Sequence, residues 1–311
     1  SESFLENKSK KDQLNIFFAR ANILHKRKNY KESAQCLKLA NQLKLLIHPS
    51  NSDSLIKRSK LLLLESNKAN LNTKKQKNNP QSIFIVGMPR SGTTLTESII
   101  SMNPKVFDLG EINAFDRSFK EWKEKKGKID LFDLYMQRIN KKRKSNITIN
   151  KWLYNYQYAG IISSQIPNSK IIHCYRNPLD NILSIFRANF TKGNEYSCSL
   201  VDCAIIYLDQ KRVMDEYKIR FQENIYDLNY DLLVKNPFEE IKLLINWLGW
   251  EWNESYLSPH LNKRAVCTAS NVQVRSEINS KSIGGWKNYK EMLKPAFEIL
   301  TQDDEYKNIK Y

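Results

Sequence analysis

Apolar and small side chains recur every three to four positions through the first part of the chain. Phe17, Ala21, Leu24, Tyr30, Ser33, Leu37 and Ala40 mark one face of two successive helices within residues 11–47. Pro49 stops the second helix, and the apolar run 55–64 predicts a third. Residues 65–81 are polar and read as a linker. Beyond them the period changes. Short β-branched runs predict strands at 82–86, 106–109, 147–150, 170–175 and 225–229. Between them, helices are predicted from Thr94 to about Asn103, in the charged stretch 113–145, and after Lys151-Trp152 to about Gln165. Further helices are expected at 179–190, 196–218 and 238–248, with mainly loop from there to Trp286. Strands alternating with helices imply a parallel sheet covered on both faces. The expected class is therefore α/β, a P-loop-like parallel sheet flanked by helices. The expected organisation is a small helical segment at 1–64, a linker at 65–81 and the α/β domain at 82–311.

The first strand leads into Gly87-Met88-Pro89-Arg90-Ser91-Gly92-Thr93-Thr94, and helical spacing follows at Leu95, Ser98, Ile99 and Met102. A strand, a glycine-bearing turn and a helix make an anion cradle, because free backbone N–H groups and the positive end of the helix dipole converge there. Gly87 and Gly92 have the separation of a Walker loop, but Thr93 stands where that loop needs lysine. Arg90 is the only cation in the turn. The loop suits a phosphate and lacks the usual grip on a triphosphate. A second candidate is Arg176, at the carboxyl end of the fourth predicted strand, followed by Ser184 on the next helix. Ligands of open α/β sheets bind at such strand ends, and an Arg fork with a hydroxyl suits a terminal phosphate.

Pro89-Arg90-Ser91-Gly92-Thr93-Thr94 after a strand resembles the 5′-phosphosulfate loop of sulfotransferases that use 3′-phosphoadenosine 5′-phosphosulfate (PAPS). Arg176-Asn177-Pro178-Leu179-Asp180 with Ser184 resembles the 3′-phosphate motif of the same enzymes. Asn229-Tyr230-Asp231-Leu232 is similar to the family segment whose tyrosine lies by the adenine. The stretch from Ser270 through Gln273, Arg275 and Lys281 to Gly284-Gly285-Trp286-Lys287-Asn288-Tyr289 resembles the closing loop that brings cations to the 3′-phosphate. The resemblance covers roughly 82–290. It implies PAPS as sulfonate donor, with PAP (adenosine 3′,5′-bisphosphate) as product, and a hydroxyl-bearing acceptor. The cofactor residues it implies are Arg90, Ser91, Gly92, Thr93, Thr94, Arg176, Ser184, Tyr230, Arg275 and Lys281. In tyrosylprotein sulfotransferases a Gly-Glu and an Asn-Lys supply base and cation, and Gly110-Glu111 and Asn150-Lys151 occupy comparable places here. Glu111, Lys151 and Arg90 are therefore the expected catalytic residues.

There are departures from the family. Leu153 stands where small-molecule enzymes place a histidine, and Ile112, Asn113 and Ala114 replace the residues with which animal tyrosylprotein enzymes receive acidic peptides. Leu109 and Ile149 stand where those enzymes carry cysteines. Peptide tyrosine, sugar, lipid and small metabolite all stay open as acceptors. The N-terminal helices resemble one tetratricopeptide repeat, with Ala21 and Ser33 at the helix contact, and generic helical packing fits the same spacing. Repeat-like helices before such a domain are similar to bacterial tetratricopeptide-repeat sulfotransferases, and make a protein partner at 1–64 conceivable.

Charge and cysteines change the picture little. The 311 residues carry a net charge of +17, which favours an anionic ligand, although lysine is spread over the whole length as on a solvated surface. No nucleic-acid module is present, so specific nucleic-acid binding is not expected. Five scattered cysteines form no C-x-x-C pair and no zinc spacing, so reduced thiols in a cytoplasmic setting and no metal are expected. No stretch reaches transmembrane length, and residues 1–10 are polar, unlike a signal peptide. The rival readings are a P-loop kinase or NTPase, which would need a loop lysine and a magnesium-binding Asp, and a repeat-based binding protein with an inactive scaffold domain.

Overall fold

The structure, a computed structural model, describes residues 7–68, 80–140, 145–190, 193–262 and 274–309. Contacts divide the chain into two units. One gathers residues 1–57, 177–209 and 281–311; the other gathers 58–176 and 210–280.

In the first unit, α1 (Lys10–Lys26) and α2 (Tyr30–Ile47) form a helical hairpin. Ser9 and Asn29 cap them, each side chain accepting an N–H of the first turn. Ala21 and Ser33 are the small residues at their contact, and Ser33 Oγ donates to the Ala21 carbonyl at 2.8 Å. α3 (Ser52–Lys68) continues four residues into the stretch expected as linker. The rest of that stretch up to residue 79, like the basic run 141–144, lies outside the described residues.

The second unit holds the sheet: β1 (Gln81–Gly87), β2 (Val106–Asp108), β3 (Ile147–Asn150), β4 (Ser169–Tyr175) and β5 (Ile225–Asn229). All neighbours are parallel, in the order β2-β3-β1-β4-β5. β1 is central and is buried on both faces. Phe84 and Val86 join a core with Phe115, Tyr135 and Tyr158, while Ile83 and Ile85 join another with Ile99, Ile149 and Ile172. That division is the period of two expected of a strand, with apolar residues in both registers because helices cover both sides.

The remaining helices, in chain order, are α4 (Thr93–Ile100), α5 (Ala114–Glu124), α6 (Leu131–Asn140), α7 (Ala159–Gln165), α8 (Pro178–Phe186), α9 (Leu200–Phe221), α10 (Tyr230–Lys235), α11 (Pro237–Trp247) and α12 (Lys290–Leu300). The charged stretch 113–145 splits into α5 and α6 around Gly127, whose φ of +71° suits the reversal. The helix expected from residue 196 starts at Leu200, because Ser199 turns its hydroxyl to the N–H of Asp202. α10 is an addition to the expected elements; Asn229 starts it by accepting from the N–H groups of Asp231 and Leu232. Among the described residues, no helix is long and apolar enough to cross a membrane.

Candidate active site

The chain leaves β1 toward β2 and β3, and leaves β4 in the other direction toward β5. The carboxyl ends of β1 and β4 therefore form the switch point of the sheet, where such folds open a crevice.

The two glycines of the turn after β1 admit no side chain. Gly87 has φ +149°, and a Cβ there would meet the Cys174 carbonyl oxygen at 2.3 Å. Gly92 has φ +98°, and a Cβ would meet Cδ2 of Tyr230 at 2.5 Å. Arg90, between them, has φ +69°, a conformation that L side chains rarely hold without reason. Gly92 is the N-cap of α4 and no side chain caps that helix. Thr93 and Thr94, its first residues, are buried. Ser91 is 1% exposed, and its Oγ has no hydrogen-bond partner. A buried hydroxyl without a partner, on a turn whose two glycines leave no room for a Cβ and beside an uncapped helix start, fits a phosphate oxygen.

Arg176 follows β4 and is buried. Its Nη1 donates to the Arg90 carbonyl at 3.4 Å, and its guanidinium lies 4.6 Å from the ring centre of Tyr230. Arg90, Ser91, Gly92, Arg176 and Tyr230 are thus joined by direct contacts. Arg275 is exposed and donates to the Asn262 carbonyl. Ser270 and Gln273 lie outside the described residues. Ser184 and Lys281 belong to the first unit. Ser184 is half-buried in the middle of α8, and Lys281 is exposed. In that unit Asp180, also on α8, accepts the N–H of Gly284 at 2.6 Å and that of Trp286 at 2.9 Å. Sequence reasoning quoted Asp180 as part of a motif without assigning it this role.

Glu111 and Lys151 come together at the carboxyl ends of β2 and β3. Gly110, at φ +71°, turns the chain after β2. Its carbonyl accepts the N–H of Lys151 at 3.1 Å, which carries the strand pairing one step past the sheet. Asn150 Oδ1 accepts from the N–H of Trp152 and from Nδ2 of Asn155, which fixes the turn that bears Lys151. Lys151 Nζ forms a direct ion pair with Glu111, and lies 3.5 Å from Oε2 of Glu97 on α4. Glu97 and Lys151 are each 1% exposed, whereas the Glu111 side chain is 43% exposed. Sequence reasoning missed Glu97. The only signal was a single charge in a short helix otherwise made of hydroxyl and apolar residues.

Behind the crevice, Cys174 is fully buried, and burial pushes its thiol up to about 12, against the Thr96 hydroxyl beside it. It is packing rather than a nucleophile. Among the described residues, no group of three or more His, Cys, Asp or Glu is placed to hold a metal ion.

The sulfotransferase family pattern matches residues 80–138 and 126–254, together more than half of the chain. An uncharacterized protein of Aquifex aeolicus (strain VF5) is 32% identical over 244 residues, 71% of this chain. The chain spans only 32% of that protein's length. A putative protein-tyrosine sulfotransferase of Caenorhabditis briggsae is 25% identical over 233 residues, 66% of this chain and 80% of that one. Among solved structures, the sulfotransferase domain from the curacin biosynthetic pathway aligns with 72% of this chain and 97% of its own, at a TM-score of 0.51 and 17% identity. The sulfotransferase domain of the Synechococcus PCC 7002 olefin synthase aligns with 72% and 96%, also at 0.51 and 17%. These two likenesses bear on the fold, and the pattern match bears on the family: the chain belongs to the sulfotransferase family.

Proposed function

We propose that this protein transfers the sulfonate of PAPS to a hydroxyl-bearing acceptor and releases PAP. The observation that carries the reading is the Lys151–Glu111 ion pair, held at the ends of β3 and β2, one and two places from the central strand, whose loop suits a phosphate but lacks the Walker lysine. PAPS, when bound, supplies a sulfonate already activated by its bridge to the 5′-phosphate. Ser91 Oγ, Arg90 and the N–H groups at the start of α4, at Thr93 and Thr94, are the groups suited to hold that phosphate. Tyr230 offers a ring face for the adenine. Arg176 and Ser184, with Arg275 and Lys281, are assigned to the 3′-phosphate.

Glu111 takes the proton of the acceptor hydroxyl on a carboxylate oxygen, and its exposure lets an acceptor reach it from solvent. Lys151 offsets negative charge that builds on the sulfonate and the bridging oxygen. The sulfotransferase domain is assigned to 82–311, and the α1–α2 hairpin is kept as a tetratricopeptide-like element for a protein partner. The acceptor is assigned only as a hydroxyl.

The test is binding and turnover. PAP should bind far more tightly than ADP or ATP by calorimetry. Arg176→Ala should weaken PAP about tenfold or more, the worth of one charged hydrogen bond. Glu111→Gln should bind PAP normally and lose turnover by about 10²–10⁴-fold, measured as release of PAP from PAPS with a panel of phenols and sugars. Equal affinity for ATP and PAP would remove the cofactor assignment.

A further inference from the structure

Glu97 is the only charged residue of α4, and it is buried. A carboxylate there is unfavourable because it has left water. Its compensation is Lys151, equally buried, with Nζ 3.5 Å from Oε2. The same ammonium pairs with Glu111, which is exposed. One lysine thus bridges a carboxylate shut inside the protein and one open to an incoming acceptor.

The two contacts cannot do the same work. Glu111 loses its charge when it takes the proton of an acceptor hydroxyl. At that moment a buried ammonium tied to Glu111 alone would have no counter-charge and would leave its place. We propose that Glu97 is a positioning residue that acts through Lys151, holding the ammonium in place while Glu111 is occupied with the acceptor proton. With both carboxylates ionised the group carries one net negative charge; once Glu111 is protonated it is neutral, and Lys151 still faces the sulfonate as a cation. The inference rests on the sulfotransferase reading given above.

The experiment is a double-variant cycle on the full chain, read by release of PAP from PAPS with p-nitrophenol or with water alone, by PAP affinity and by Tm. Glu97→Gln should lower turnover by about 10–100-fold, as for other residues that orient a reacting group, with PAP affinity within about threefold of wild type. Glu97→Asp should recover part of the rate. In a Lys151→Met background, Glu97→Gln should change turnover by less than about twofold, because the residue it acts through is gone. If Glu97→Gln does not fold, Glu97→Asp and the double variant, which removes both buried charges, carry the comparison. Wild-type turnover in Glu97→Gln, or an undiminished loss in the Lys151→Met background, would overturn the inference while leaving the sulfotransferase reading intact. Failure of the wild-type chain to prefer PAP or to turn over PAPS would instead remove that reading.

Discussion

Gly92 and His25 show how much a single residue can decide. A methyl group at Gly92 would meet the Tyr230 ring and would have to hold φ +98°. Gly92→Ala is therefore expected to displace Tyr230 and weaken PAP binding about tenfold or more, with a stability loss of about 1–3 kcal/mol for the strained backbone, read by calorimetry and denaturant melts. Unchanged PAP affinity would separate Tyr230 from the nucleotide. His25 makes a different case. Arg187 can only donate, so His25 Nε2 accepts at 3.0 Å and Nδ1–H donates to the Tyr289 hydroxyl at 2.8 Å. Burial, then the Arg187 charge, push His25 from 6.5 to about 4. The unfolded chain takes up that proton at a higher pH than the native one. Stability should thus be flat above the ordinary histidine range and fall as pH drops through it toward about 4. The side chain keeps some solvent, so the loss is about 1 kcal/mol, or about 2–4 °C in Tm. Melts between pH 7 and pH 5 should show a flatter slope in His25→Gln; an identical slope would assign the acid loss to other groups.

At the scale of elements, one carboxylate ties α8 to the segment that follows Lys281. Asp180 sits in the first turn of α8, where Pro178 and the Asn177 cap already favour the helix, and it accepts two backbone N–H groups from Gly284 and Trp286. Asp180→Asn would turn an amide N–H toward a backbone N–H. The expected cost is about 1.5–3 kcal/mol, with faster hydrogen exchange at the Gly284 and Trp286 amides. Exchange rates equal to wild type would show that the joint is held by Trp286 packing instead.

At the scale of the molecule, the N-terminal hairpin is part of a unit that also draws on residues 177–209 and 281–311. Asn41 Nδ2 donates to the Phe186 carbonyl, Lys44 Nζ to that of Phe190, and Ser33 Oγ meets the Tyr289 hydroxyl. Removal of residues 1–50 would leave those groups unpaired and expose what Leu37 and Ala40 cover. The truncated chain is expected to lose cooperative unfolding, or to show a Tm lowered by roughly 10 °C, since several kcal/mol of packing go with it. A truncated chain that melts like the whole would make the hairpin an appendage.

Local chemistry determined much of this protein before any contact was known. The β-branched run into Gly87 and Gly92 is a strand, turn and helix for steric reasons that hold within a dozen residues, so the anion loop was legible. The placement of Arg176, Lys151 and Glu111 was legible because the first two directly follow strands and the third follows one within three residues, and parallel strands bring their carboxyl ends to one edge. Helix starts were less so: Ser199 and Asn229 redirect N–H groups through side chains, which apolar periodicity does not register. Three things were decided only by the tertiary structure. In sequence Glu97 is one polar residue among Thr94, Thr96 and Ser98, and it becomes a buried counter-ion because β3 delivers Lys151 to α4. Asp180 and Gly284 are more than a hundred positions apart, and His25 and Tyr289 are farther still. Periodicity reports which face of an element is buried, but not what it is buried against, and these pairings depend on that.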